Sequence, residues 1–225
     1  MTPFERLVEQ YPAWWVDLLG EHNHVGGAEA TRWLLDRARL QPGDRMLDCG
    51  AFVAAAARSA AAAGARSVAI DVNPDFLATA RQLPSGQTID VVAAATQRLP
   101  FRSGAFTSVW CLDAPLAPRE MSRVAADRAT LCLGTEVPTD GRGGHEAFLD
   151  EWAPFGWTLA AHRPMSLEAL QLWRRCEGEL VARRPHFEAR YGKRGYLAQL
   201  DLLSGFVRSY ERGDQGHALF VFSRG

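Results

Sequence analysis

Residues 46–56 read Met46-Leu47-Asp48-Cys49-Gly50-Ala51-Phe52-Val53-Ala54-Ala55-Ala56. The apolar run from Arg45 to Cys49 predicts a strand, Gly50 turns the chain at once, and the alanine-rich stretch from Val53 to Ala63 predicts a helix. The same alternation continues downstream. Strands are expected over Ser67 to Val72, Thr88 to Ala94, Phe106 to Asp113 and Ala129 to Val137. The helices between them are Pro74 to Leu83, capped by Asn73, and Arg119 to Ala126. Strand and helix in strict turn imply a parallel sheet covered on both faces, an α/β fold.

Upstream, Thr2 and Glu5 have the capping-box spacing with Pro3 at the first helical position, so a helix is expected towards Tyr11, restarting at Pro12. Ala13 to Leu19 and Ala28 to Leu40 follow as further helical segments, the latter with Trp33, Leu34 and Ala38 on one side. Downstream, a helix over Glu146 to Trp152 and a sixth strand over Trp157 to Met165 precede a polar helical stretch, Ser166 to Gly213. Ser166 is expected to cap that stretch and Pro185 and Gly192 to interrupt it. A last strand over Gly216 to Ser223 closes the chain. The expected organisation is therefore one domain: N-terminal helices over 1–43, core sheet over 44–165, helical cap over 166–215, last strand over 216–225.

The whole chain has 225 residues, 25 basic and 26 acidic, and a formal charge of −1, which offers a polyanion no general attraction, so no nucleic-acid partner is expected. From His162 to Arg194 eight basic residues face four acidic ones, a bias read as a solvated helix surface. The longest apolar tract, Ala51 to Ala65, contains Arg58 and is shorter than the roughly 20 residues a bilayer demands, so no membrane partner is expected. With no secretory pattern at Met1, the cytoplasm is the expected location. Cys49, Cys111, Cys132 and Cys176 have no metal-ligand spacing, and neither zinc nor disulfides are expected.

In an open parallel sheet the ligand lies beyond the carboxyl ends of the strands, where strand order reverses. Those ends are Asp48 to Phe52, Asp71 to Asn73, Ala94 to Gln97 and Cys111 to Asp113. Asp71 lies 21 positions after Gly50, where a carboxylate meets a ribose diol. With these residues the sequence resembles the class I S-adenosylmethionine-dependent methyltransferases. The matching pieces are Met46 to Gly50, Val68 to Asp71, Arg98 to Phe101 with Phe106 to Trp110, and Glu136; upstream, His24-Val25-Gly26-Gly27 looks like the segment that folds over the cofactor. The resemblance implies a seven-stranded, mostly parallel sheet, S-adenosylmethionine as cofactor and a small-molecule substrate of bacterial specialised metabolism, handled by a monomer or homodimer. The cofactor positions it implies are Asp48, Gly50, Phe52, Asp71, Val72, Thr96, Gln97 and Leu112. His24, His145 and Glu146 are the candidate catalytic groups, with His22 a further candidate base and His217 read as structural. No metal is expected.

Three positions depart from the family pattern. Phe52 stands where a glycine lets bare backbone approach the cofactor, Ala95 where an acidic residue meets the adenine amino group, and Thr107 where an aspartate is usual. A phenyl ring at position 52 is expected to obstruct the pocket unless the loop is reshaped. Two other readings therefore stand beside methyl transfer: a fold reused as a cofactor-independent cyclase or isomerase, with Phe52, Trp152, Trp157, Trp173 and Tyr196 shaping the pocket, and a non-catalytic partner of an active homologue. In the family's strand order Cys49 and Cys111 end neighbouring strands and are expected to face one another near the pocket mouth as packing residues.

Overall fold

The structure, a computed structural model, describes residues 1–11, 13–84, 88–138 and 145–225; the helix restart expected at Pro12 lies outside them. Seven strands form one sheet: β1 (Arg45–Cys49), β2 (Arg66–Asp71), β3 (Asp90–Ala93), β4 (Phe106–Leu112), β5 (Ala125–Pro138), β6 (Trp157–Pro164) and β7 (Gln215–Arg224). Their order is β3-β2-β1-β4-β5-β7-β6. The first five strands pair in parallel, and β7 runs antiparallel between β5 and β6. Strand order therefore reverses between β1 and β4, and the carboxyl ends of these two strands open a crevice there.

The side-chain period of two sorts the strands into two cores. Met46, Trp110, Cys132, Leu219 and Val221 face one side, and Leu47, Cys49, Val109, Cys111, Leu131, Leu133, Phe220 and Phe222 face the other. The first side is covered by α3 (Gly27–Ala38), α4 (Ala55–Ala62), α8 (Ser166–Ala182) and α9 (Arg184–Arg212), which supply Leu34, Ala60, Trp173, Phe187 and Tyr196. The second is covered by α6 (Pro118–Val124), which supplies Met121 and Val124, with Trp152 and Trp157. A smaller cluster joins α1 (Pro3–Gln10) and α2 (Trp14–Leu19) to α5 (Pro74–Gln82) through Leu7, Val16, Phe52 and Phe76.

Local signals behave as the sequence indicates at several ends. Thr2 and Glu5 close the reciprocal capping box of α1, and Asn73 Oδ1 accepts the Asp75 N–H at the start of α5. Pro185 opens α9 and Gly192 kinks it. Three expectations are corrected. Ser166 is the first residue of α8 rather than its cap; its Oγ accepts the His217 N–H at 3.1 Å, a tertiary partner that the local pattern does not reveal. The helix α7 (Glu146–Asp150) stops short of Trp152, and a single 3-10 turn containing Pro154, which lacks a backbone donor, follows it. Cys49 and Cys111 are register partners of β1 and β4, but both lie fully buried in the second core rather than at a pocket mouth. Burial pushes both thiols well up, Cys49 further through its neighbour Cys111 and Cys111 through Asp48, so neither offers a thiolate.

Four of the eight basic residues between His162 and Arg194 pair with carboxylates on the surface. Arg163 contacts Glu29 and Glu168, Arg174 contacts Glu211, Arg183 contacts Asp17, and Arg184 contacts Glu188. No helix among the described residues is long and apolar enough to cross a membrane.

Replacing Cys49 and Cys111 together by alanine should cost roughly 1 to 3 kcal/mol in a urea unfolding curve, from lost packing alone. Any ligand affinity should remain, and its loss in a variant that still folds cooperatively would give the thiols a role in the site.

Candidate active site

The loop after β1 has an alternating backbone. Gly50 (φ 69°), Phe52 (φ 51°) and Ala54 (φ 60°) all occupy the left-handed region, although only the first is glycine. An L-residue held there costs about 1 to 2 kcal/mol, so the surroundings must fix it. They do so through Asp71, at the tip of β2. Its Oδ2 accepts the Phe52 N–H at 3.0 Å and its Oδ1 accepts the Asn73 N–H at 2.8 Å. Gly50 admits no side chain, since a Cβ there would meet the Ala114 Cβ at 2.3 Å.

The Phe52 ring turns away from the strand ends into the N-terminal helices. It packs edge-on against Phe76, Trp15 and Phe4 at centroid distances of 4.7, 5.5 and 6.2 Å. The expected obstruction is met in this way: the backbone keeps a glycine path and the ring becomes one wall. Beyond the strand ends lies a cavity of about 240 Å3, walled by Gly50, Phe52, Asp71, Val72, Thr96 and Gln97 together with Trp15, Asn23, Phe76, Asp113, Ala114 and Pro115. Six of the eight expected cofactor positions thus line one space. The other two, Asp48 and Leu112, lie beneath the loop beside a recess of about 20 Å3 that they share with Gly50 and Phe52.

Asp48 is fully enclosed, and burial pushes its carboxyl up to about 7 against the pull of the Ala57 N–H, which donates to Oδ2 at 3.1 Å. Arg58, close by, is tied to Glu21 and to the Val53 carbonyl. Asp48 therefore supports the loop from below.

Two larger cavities adjoin the first. One, of about 550 Å3, is walled by α2 (Trp14, Trp15, Leu19), α8 (Trp173) and α9 (Gln199, Leu202, Phe206), with Asn23 and His24. The other, of about 350 Å3, has Thr135 and Glu136 of β5 with Trp173 and Phe206. Among the described residues Asp113 alone lines all three. This residue, at φ 50°, is pinned on both oxygens: the Val25 N–H donates to Oδ2 at 2.7 Å, and His217 Nε2 lies 2.6 Å from Oδ1. Burial works to raise its carboxyl, but His217, the Val25 N–H and His24 outweigh it and hold Asp113 below the usual carboxylate range. Nearby, burial and the charge of Asp113 push the Glu136 carboxyl up; it accepts from Tyr210 and Gln215.

The candidate bases are placed differently from one another. His24 reaches the 550 Å3 cavity, but its Nδ1 lies 3.1 Å from the Val25 carbonyl and its Nε2 3.0 Å from Thr31 Oγ1. Burial holds the His24 ring below its usual range, and burial with His24 and Arg58 holds His22 down to about 4. His145 packs edge-on against His162 and Phe220 at centroid distances of 4.8 and 5.5 Å, and neither it nor Glu146 is among the residues lining these cavities. At the junction of the cavities stands Asp113, with the buried His217 on its Oδ1. The sequence carried a signal for Asp113, a carboxylate at the end of the fourth strand as Asp48 and Asp71 end the first two. Nothing local pointed to His217, which is 104 positions away from Asp113.

The sheet, its order and the crevice at β1 and β4 define a Rossmann-like α/β architecture with its ligand-binding crevice at the switch point. Residues 47–131 match the family described as a methyltransferase domain, and the strand order is the one typical of methyltransferase sheets. An uncharacterized protein of Mycobacterium tuberculosis is 31% identical over 140 residues, which are 58% of this chain and 47% of that one, so the chain spans about half the length of the curated relatives it matches. The solved mycolic acid cyclopropane synthase CmaA1, complexed with SAH and CTAB, superposes with a TM-score of 0.79 at 12% identity, covering 100% of this chain and 99% of that chain. The [4+2]-cyclase SpnF superposes with a TM-score of 0.75 at 20% identity, covering 99% and 96%. At such identities the likeness is one of fold.

Two outcomes test this geometry. Phe52→Gly should lower stability by roughly 2 to 3 kcal/mol, the lost ring outweighing the relieved backbone, with no gain in ligand affinity; a gain would mean that the ring blocks the cavity. Asp48, its folded pKa raised to about 7 from an ordinary 3.8, binds its proton more tightly when folded. Its stabilising share is complete below 3.8 and lost as pH rises through 7. Asp48→Asn should therefore raise the melting temperature most above pH 7 and change it little below pH 3.8, the difference growing steadily between the two; a uniform effect would refute the assignment.

Proposed function

We propose that the chain binds S-adenosylmethionine in the cavity beyond β1 and β2 and transfers its methyl group to a small molecule held in the adjoining larger cavities. The carrying observation is the left-handed path at residues 50, 52 and 54, which keeps the glycine-type loop with Gly50 as its one glycine. The residues present fit the cofactor. Each Asp71 oxygen accepts one backbone N–H and retains a lone pair, so the carboxylate can still take a ribose hydroxyl. Val72 beside it is 72% exposed at the cavity wall, an apolar ledge suited to a flat heterocycle. Gln97 supplies a side-chain amide near that ledge in place of the absent acidic residue at Ala95.

When bound, S-adenosylmethionine supplies a sulfonium methyl group. The protein's own share is positioning: an acceptor must approach in line, and Asp113, which among the described residues alone is shared by all three cavities, is immobilised at their junction. The helices α8 and α9 with α2 act as the cap over the acceptor. Reuse as a cofactor-independent cyclase has one observation in its favour, the apolar 550 Å3 cavity being much larger than the 240 Å3 one.

Calorimetry with S-adenosylmethionine and S-adenosylhomocysteine decides between them. Micromolar binding of both is expected, and Asp71→Ala should weaken it roughly 100-fold through lost charged hydrogen bonds. No binding at millimolar ligand would make the fold a scaffold for other chemistry and leave cyclisation or partnership with a homologue as the reading.

A further inference from the structure

We propose that the paired cavities beyond Asp113 accept an amine carried on an apolar or aromatic skeleton, bound as its ammonium by the Asp113 carboxylate. The proposal rests on the function above only for the later fate of that nitrogen. The walls are Trp14, Trp15, Trp173 and Phe206, and the charged groups facing the space are Asp113 and Glu136. The chain has 25 lysines and arginines, yet none is among the described residues lining either cavity. His24, the imidazole that does line the larger one, is kept neutral by burial and adds no positive charge.

This lining discriminates between substrate classes. A carboxylate or phosphate would meet two acidic groups and no lysine or arginine, at a like-charge cost that the buried setting screens little. A purely neutral hydrocarbon would gain nothing from a carboxylate held ionised at the mouth. An ammonium gains on both counts, since indole and phenyl faces attract cations and a carboxylate accepts charge-assisted hydrogen bonds. Asp113 is pinned by the Val25 N–H and His217 yet keeps a lone pair on each oxygen for the ligand. It also lines the 240 Å3 cavity, so a nitrogen bound to it sits where the two ligand spaces meet. For methyl transfer the ammonium would first give one proton to the Asp113–His217 pair. The freed lone pair then forms the N–C bond as the C–S bond of S-adenosylmethionine breaks, leaving its electron pair on sulfur.

The test is calorimetry on the full chain with matched probes: tryptamine and decylamine against indole-3-propionate and decanoate, with 3-ethylindole as the neutral control, each with and without S-adenosylhomocysteine. The amines should bind at least roughly tenfold more tightly than their carboxylate and neutral counterparts, and Asp113→Asn should weaken them roughly 10- to 100-fold. Equal or tighter binding of the acids or of 3-ethylindole overturns the proposal, as does failure of both amines to bind at millimolar concentration. The wild-type comparison stands by itself should Asp113→Asn not fold. Amine binding without S-adenosylhomocysteine binding supports the amine cavity while removing methyl transfer; the reverse removes the amine cavity alone.

Discussion

The clamp of Asp71 on the backbone of the preceding loop is the constraint on which the site depends. A single carboxylate at the end of β2 takes the N–H of Phe52 from one loop and of Asn73 from another. That pairing holds Phe52 in a left-handed conformation that its side chain disfavours, and the aromatic contacts with Phe4, Trp15 and Phe76 add the packing that offsets the strain. A residue that would block a cofactor loop by its size instead joins the N-terminal helices to the sheet. The cavity, the loop and the position of α1 and α2 are consequences of one arrangement.

Asp113 plays the corresponding part at the end of β4. Unlike Asp71 it has a positive φ itself, and like Asp71 it is fixed on both oxygens, by the segment before α3 and by β7. The sheet's antiparallel insertion brings His217 there, because β7 runs back beside β5 and its first residues end level with the carboxyl ends of the parallel strands. A residue near the end of the chain thereby reaches the crevice opened by β1 and β4. Aromatic side chains of α2, α8 and α9 then enclose the space in front of Asp113.

Much of the architecture was legible locally. The alternation of strands and helices, the capping box at Thr2, the Asn73 cap and the interruptions at Pro185 and Gly192 are read from spacing and from backbone chemistry that act over a few residues. The positions lining the 240 Å3 cavity were legible for the same reason, since in a parallel sheet the residues at strand ends must face the crevice. Signals that depend on distant partners were not. Ser166 has the composition of a cap yet bonds to His217, and His145 and Glu146 have the composition of a base and its partner yet lie outside the cavities described.

The sequence by itself therefore determined the sheet, its order of elements and the retained carboxylates Asp48 and Asp71, because periodicity and short-range spacing suffice for these. Only the tertiary structure decided that the Phe52 ring packs into the aromatic cluster as a wall of the cavity, that Cys49 and Cys111 pack deep in the core rather than at the pocket mouth, and that Asp113 meets His217 at 2.6 Å. Each of those depends on which surfaces packing brings together across long separations, and on a backbone conformation that a residue's own preference opposes.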